Sequence, residues 1–256
     1  MNLHFIFAFI LLSISLHIEA QFDLKYGAGL RSYPGIGAAM EAEGGYTQVL
    51  WGENSKLFKG MIRPGIQTTH SVVVNDYDAS VSFYPVSFIG LVAGHKELYS
   101  RYDEFASYDC EQIRCKGAMK KDYLQGKIAL AWGKLFLTAS YSEFRNSYND
   151  PSGNQLPVAE YEWVSAVAPH FERSVRRKYF GGYILPNGNI LGLNADYREF
   201  EFSNQNYLFE ALIYQIKLSN WRLTLGAGRL GSTEVATDGV IVLRLTHILA
   251  PSLPLF

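Results

Sequence analysis

Alternation of apolar and polar residues with a period of two recurs almost from end to end of this chain. An element with that period is a β-strand that keeps one face in an apolar medium. The stretch DYLQGKIALAWGKLFLTASYSEF, Asp122 to Phe144, carries the pattern twice. Leu124, Gly126, Ile128, Leu130 and Trp132 alternate with Gln125, Lys127, Ala129 and Ala131. After Gly133 and Lys134, the residues Leu135, Leu137, Ala139 and Tyr141 alternate with Phe136, Thr138, Ser140 and Ser142. Two strands joined by a tight turn are expected here. Their apolar faces need either a second sheet, as in a soluble sandwich, or lipid around a closed barrel.

Reading the same pattern along the whole chain predicts about twelve strands, at 22–33, 37–51, 57–69, 73–84, 86–99, 121–132, 135–146, 159–185, 189–203, 206–218, 221–231 and 239–250, with ten or fourteen as the alternatives if 159–185 divides differently. The segment 159–185 also reads as a strand, a loop excursion and a second strand, because Pro169 interrupts it. In NYLFEALIYQIKL, from Asn206, both faces are largely apolar and the phase is ambiguous. Short connections carrying Gly, Pro or Asn-Gly (WGENSK, FYPVS, WGK, LPNGN, LSNW) alternate with longer polar ones at 101–121, 145–157, FSNQN and GSTEVATDG.

The first twenty residues form an apolar core from Phe5 to Leu16 that ends in Ile-Glu-Ala, too short to span a bilayer. They read as a secretory signal peptide cleaved near Ala20, leaving residues 21–256 as one domain. Beyond it no apolar run approaches the length of a membrane helix, so a membrane location would have to be reached through strands. The formal net charge of −1 gives no support for nucleic-acid binding, which needs a basic surface. Cys110 and Cys115 sit in the polar run DCEQIRC, and in an exported chain such a pair reads as a disulfide that stiffens a loop locally. No His lies near enough to them for a metal site, and no cofactor fingerprint is present.

On a closed barrel the polar faces would enclose a lumen. The lumen-facing candidates are Asp23, Lys25, Arg31, Glu41, Glu43, Lys59, Arg63, Asp78, Lys127, Asp196, Arg198, Arg222 and Arg244. Their mixed signs suit a narrow, partly filled interior and imply weak ion selectivity. Aromatic residues make up 14% of the chain, and many stand at proposed strand ends: Tyr33, Tyr46, Trp51, Phe83, Tyr84, Tyr99, Trp132, Tyr141, Trp163, Tyr197, Tyr207 and Trp221. Rings placed there match the interfacial girdles of membrane barrels.

With an export signal, alternating strands, short turns opposite long loops and a terminal aromatic, Phe256, the chain resembles Gram-negative outer-membrane β-barrel proteins. The resemblance is architectural. It implies an all-β, closed antiparallel transmembrane barrel in the cell outer membrane, surrounded by outer-membrane lipid, with lipopolysaccharide and the barrel-assembly machinery as partners. In that class the terminal Phe closes the last strand as an assembly signal, whereas here APSLPLF places Pro251 and Pro254 before it.

A narrow passive pore for small polar solutes, or a structural surface protein, is the function expected. Alternatives are an outer-membrane enzyme acting on lipid or peptide and an adhesion barrel using the loop that bears the cysteines. His170, Glu172 and Ser174 form the best catalytic constellation, with Ser165 nearby. Side chains two apart on one strand stand too far from each other for a direct hydrogen bond. His70 and Ser71 would point to opposite faces, and His247 reads as an interfacial residue. The basic run RSVRRK, Arg173 to Lys178, reads as a solvated loop or, in an outer leaflet, as a holder of lipopolysaccharide phosphates.

Overall fold

The structure is a computed structural model, described over residues 20–32, 37–52, 55, 58–100, 109–148, 156–160, 165–232 and 238–250. Its elements are β1 (Ala20–Arg31), β2 (Gly37–Trp51), β3 (Gly60–Ser71), β4 (Val74–Val86), β5 (Ile89–Ser100), β6 (Gly117–Trp132), β7 (Leu135–Tyr148), β8 (Val158–Glu160), β9 (Ser165–Val167), β10 (Phe171–Ile184), β11 (Ile190–Phe200), β12 (Asn206–Leu218), β13 (Trp221–Ser232) and β14 (Asp238–Ala250). Twelve of them form a closed antiparallel barrel in chain order, and β14 returns to pair with β1, with His247 opposite Tyr26. Closure leaves no edge strand in the wall, so every strand pairs on both sides. The remaining two, β8 and β9, make a small separate hairpin.

Parity along the strands separates two faces. Large apolar side chains stand exposed on the outer face of strand after strand: Met40 (68%), Ile66 (70%), Leu193 (67%), Leu212 and Ile241 among them. Exposure on that scale is stable in lipid and unfavourable in water, so this face is the lipid-facing band of a transmembrane barrel. At the end with short turns, Trp51 packs edge-on to Phe83, and Trp221 packs with His247 and Tyr26. Trp132 stands 88% exposed beside the β6–β7 turn, where Gly133 adopts the positive φ that a tight turn needs. Replacing Leu212, midway along β12 on the outer face, by Arg is expected to cost about 2–4 kcal/mol. Urea titration of the barrel refolded into lipid vesicles measures it.

The wall count of twelve agrees with the sequence reading, but its composition corrects that reading between 159 and 185. A single strand there is replaced by β8, β9 and then β10. The run RSVRRK is not a loop: it lies within β10, with Arg173 and Arg177 on the outer parity and Arg176 and Lys178 on the inner. Expectations for residues 1–19 and for the tail at 251–256, and those for Tyr33 and Trp163, fall outside the described residues.

Candidate functional site

The interior changes character from one end of the barrel to the other. At the end with long loops, the inward positions switch from polar to apolar. Leu98, Met119, Phe200, Tyr207, Leu230 and Val240 form a buried cluster contributed by β5, β6 and β11–β14. Into it the hairpin inserts Val158 and Val167, each 2% exposed. The hairpin therefore sits inside the barrel mouth and not above it.

Two clamps hold it there. Before β6, Cys110 and Cys115 are joined by a disulfide. Between them, Arg114 donates its backbone N–H to the Pro157 carbonyl (2.7 Å) and accepts from the Ala159 N–H (2.9 Å), so the disulfide turn is stitched to β8. Arg114 also stacks over the Tyr148 ring, whose hydroxyl donates to the Lys116 carbonyl (2.7 Å). The second clamp is Glu172, with no exposed surface. Its carboxylate accepts from the backbone N–H of Phe202 (2.7 Å), Ser203 (3.1 Å) and Ala168 (3.2 Å), tying the return end of β9 to the β11–β12 connection. Replacing both cysteines by Ser should leave the wall intact, because the enclosed loop is short and lies outside it. The expected result is an unchanged gel shift between boiled and unboiled samples with faster protease cleavage between 109 and 116.

Beneath the apolar layer lies a buried polar one. Arg198 is fully buried between the rings of Phe144 (5.0 Å) and Phe200 (4.8 Å), and its guanidinium donates to the Ser174 hydroxyl (3.2 Å). Asn146 donates to the Glu172 carbonyl and to Ser174, and Lys121 is fully buried in the same row. Lys96 pairs with Asp76 (3.3 Å).

The lower half of the lumen is charged and water-accessible. Arg63 on β3 reaches past β2 to Asp23 on β1 (2.9 and 2.6 Å) and also contacts Glu43, which Lys25 joins at 2.7 Å. Arg244 on β14 crosses β1 to Glu41 on β2, and Arg176 holds Asp196 (2.8 and 2.6 Å). Tyr123 on β6 crosses β5 to Asp78 on β4 (2.9 Å). Lys127 interacts electrostatically with Glu43, Arg63 and Lys25 on β1–β3, and Lys178 with Arg244 on β14. Such interactions between distant strands run across the bore, which identifies this as the inner face.

These strand-skipping contacts are seated on glycine. A Cβ on Gly94 of the intervening β5 would stand 2.4 Å from the Tyr123 ring, and one on Gly45 of β2 would stand 2.5 Å from the Arg63 guanidinium. Phe136 lies on Gly182 and Phe180 on Gly192 in the same manner. Each of these side chains thus lies against the wall, over a position where a Cβ would collide with it. The phase of β12, ambiguous in sequence, resolves for this reason: Tyr207 and Ala211 face inward under the hairpin, and Ile213 rests on Gly226.

Of the lumen-facing candidates, Asp23, Lys25, Arg31, Glu41, Glu43, Arg63, Asp78, Lys127, Asp196, Arg198, Arg222 and Arg244 occupy the inner parity of their strands, whereas Lys59 lies in the β2–β3 connection. Sequence reasoning did not place Lys121, Glu172, Arg176 and Lys178 on the inner face. The catalytic constellation is not assembled. Glu172 is engaged by backbone amides, Ser174 by Asn146 and Arg198, and His170 precedes β10 with its carbonyl accepting from the Tyr148 N–H. His70 lies outside, bonded to Asn75 and Thr68, and Ser71 caps the β3–β4 turn.

No family model matches this chain, and no curated protein matches it. Among solved structures, an outer membrane channel from Pseudomonas putida F1 superposes with a TM-score of 0.50 at 12% identity, over 92% of this chain and 97% of that one. The fold is that of an outer-membrane β-barrel. The KdgM porin (TM-score 0.47, 10% identity, 88% and 98% covered) and the β domain of the Bordetella autotransporter BrkA (0.48, 10%, 89% and 98%) are also similar. At these identities the likeness concerns the barrel fold alone.

Proposed function

We propose that the chain is a narrow, non-enzymatic pore of a Gram-negative outer membrane, through which small polar solutes diffuse, with the 158–167 hairpin narrowing its outer mouth. The observation that carries this reading is the contrast along the bore: a charged, water-accessible lower lumen beneath an apolar hairpin held by two local clamps. A barrel serving only as an anchor has no need of a wet, charged interior. Barrels of this kind carry their short turns on the periplasmic side, which supports a lower lumen facing the periplasm and a hairpin facing outward.

The test is a denaturing gel with and without boiling, run beside single-channel recording in planar bilayers. A heat-shifted band with discrete conductance is expected. A heat-shifted band without conductance, even after removal of the hairpin, overturns the pore and leaves the barrel. A protein that is soluble without detergent and shows no shift overturns both.

A further inference from the structure

The charged lumen is not balanced once its ion pairs are drawn. The mid-lumen carboxylates are engaged: Asp23 and Glu43 by Arg63, Glu41 by Arg244, Asp196 by Arg176 and Asp78 by Tyr123. Lys127 and Lys178 form no hydrogen bond or ion pair among the described residues, although both are exposed to the lumen. They are not scattered. Lys127 on β6 lies directly opposite Ser140 on β7, and Ser140 directly opposite Lys178 on β10. With strands about 4.8 Å apart, the two backbones stand roughly 10 Å from each other, within reach of two flexible ammonium groups converging on one ligand. The Ser140 hydroxyl between them supplies a neutral donor. Toward the periplasmic end, Lys217 and Arg222 face each other across β12 and β13, also on the inner parity and also exposed.

We infer that the lumen carries a binding site for small oxyanions, carboxylates or phosphates, held between Lys127 and Lys178 over Ser140, with Lys217 and Arg222 as the next cationic station toward the periplasmic end. This deepens the pore reading by naming its solute class, and replaces the weak selectivity implied by charge signs alone. Asp23, Glu41, Glu43 and Asp196 are neutralised by Arg63, Arg244, Lys25 and Arg176; Asp78 keeps its charge under the Tyr123 hydroxyl, and the two ammonium groups of Lys127 and Lys178 outweigh it. In a bore walled by low-dielectric protein and lipid, such a surplus concentrates counter-ions strongly.

The test measures reversal potentials across planar bilayers in a KCl gradient for the wild-type chain, for Lys127→Gln/Lys178→Gln, and for Arg229→Gln. The last removes an outward-facing charge that is paired with Glu210 and lies outside the lumen. The expected result is chloride preference in the wild type, reduced about tenfold in the lysine double variant and unchanged in Arg229→Gln. Channels that are non-selective or potassium-selective overturn the site while leaving the pore. If the protein does not conduct, the site is decided by calorimetry of inorganic phosphate added to the detergent-solubilised barrel. Binding that is lost in the double variant sustains the site after the pore has failed, and no binding to the wild type overturns it. The boiled-against-unboiled gel shift verifies that each variant is folded.

Discussion

Deleting residues 158–167, with a short Gly-Ser linker in their place, is expected to raise single-channel conductance several-fold without unfolding the barrel. The wall hydrogen bonds do not pass through the hairpin, since β7 and β10 pair directly from Ser147 and Phe171 onward. What is lost is apolar burial. Val158 and Val167 leave the cluster, and Leu98, Met119, Phe200 and Leu230 gain contact with water. At about 1.5–3 kcal/mol for each fully buried side chain, that is a substantial local cost. It falls on the mouth and not on the twelve-strand ladder. A heat-shifted band with a lower unfolding midpoint and a wider channel is the result foreseen. An unchanged conductance would mean that the hairpin does not limit the bore.

Glu172→Ala should have the largest effect of any single substitution in the mouth. Three backbone N–H groups, from Ala168, Phe202 and Ser203, lose a charged acceptor, and burial excludes the water that could replace it. Hydrogen bonds to charged groups contribute about 1.5–3 kcal/mol each, so a destabilisation on the order of 4 kcal/mol is expected after partial relaxation. Urea unfolding in detergent measures the total, and limited proteolysis locates it. Cleavage should appear first between 149 and 170, with bursts of larger conductance in the same variant. Glu172→Gln keeps one acceptor oxygen and should fall between the two. If Glu172→Ala unfolds the whole barrel, the carboxylate supports the wall rather than the hairpin.

The wall was legible in sequence because lipid outside and water inside impose alternation on every strand. The turns were legible through Gly133 and the Asn-Gly at 187–188, and the cysteine pair through its spacing. The hairpin was not, because VAEYEWVSAVAP alternates like a wall strand. Its signal lay elsewhere, in the inward positions at the loop ends of other strands. Lys96 is followed at that parity by Leu98, Lys121 preceded by Met119, Arg198 followed by Phe200 and Gly228 by Leu230. An interior that turns apolar near its mouth requires something apolar to cover it. The surplus of lysine could not be read at all from charge signs, since it emerges only when Arg63, Arg176 and Arg244 have chosen their partners across neighbouring strands.

Alternation alone forbids a one-residue slip between strands, because that slip would turn the lumen face to lipid. A slip of two residues keeps inside and outside correct, and alternation is blind to it. The glycine seats are not. Moved by two, Tyr123 would meet Val92 or Lys96 in place of Gly94, where its ring now lies flat. The seats at Gly94 and Gly45 each bind three neighbouring strands to a single alignment, so the barrel contains its own proofreading marks for assembly. A ring and the glycine beneath it can then be exchanged only together, and descendants of this chain that move one should move the other.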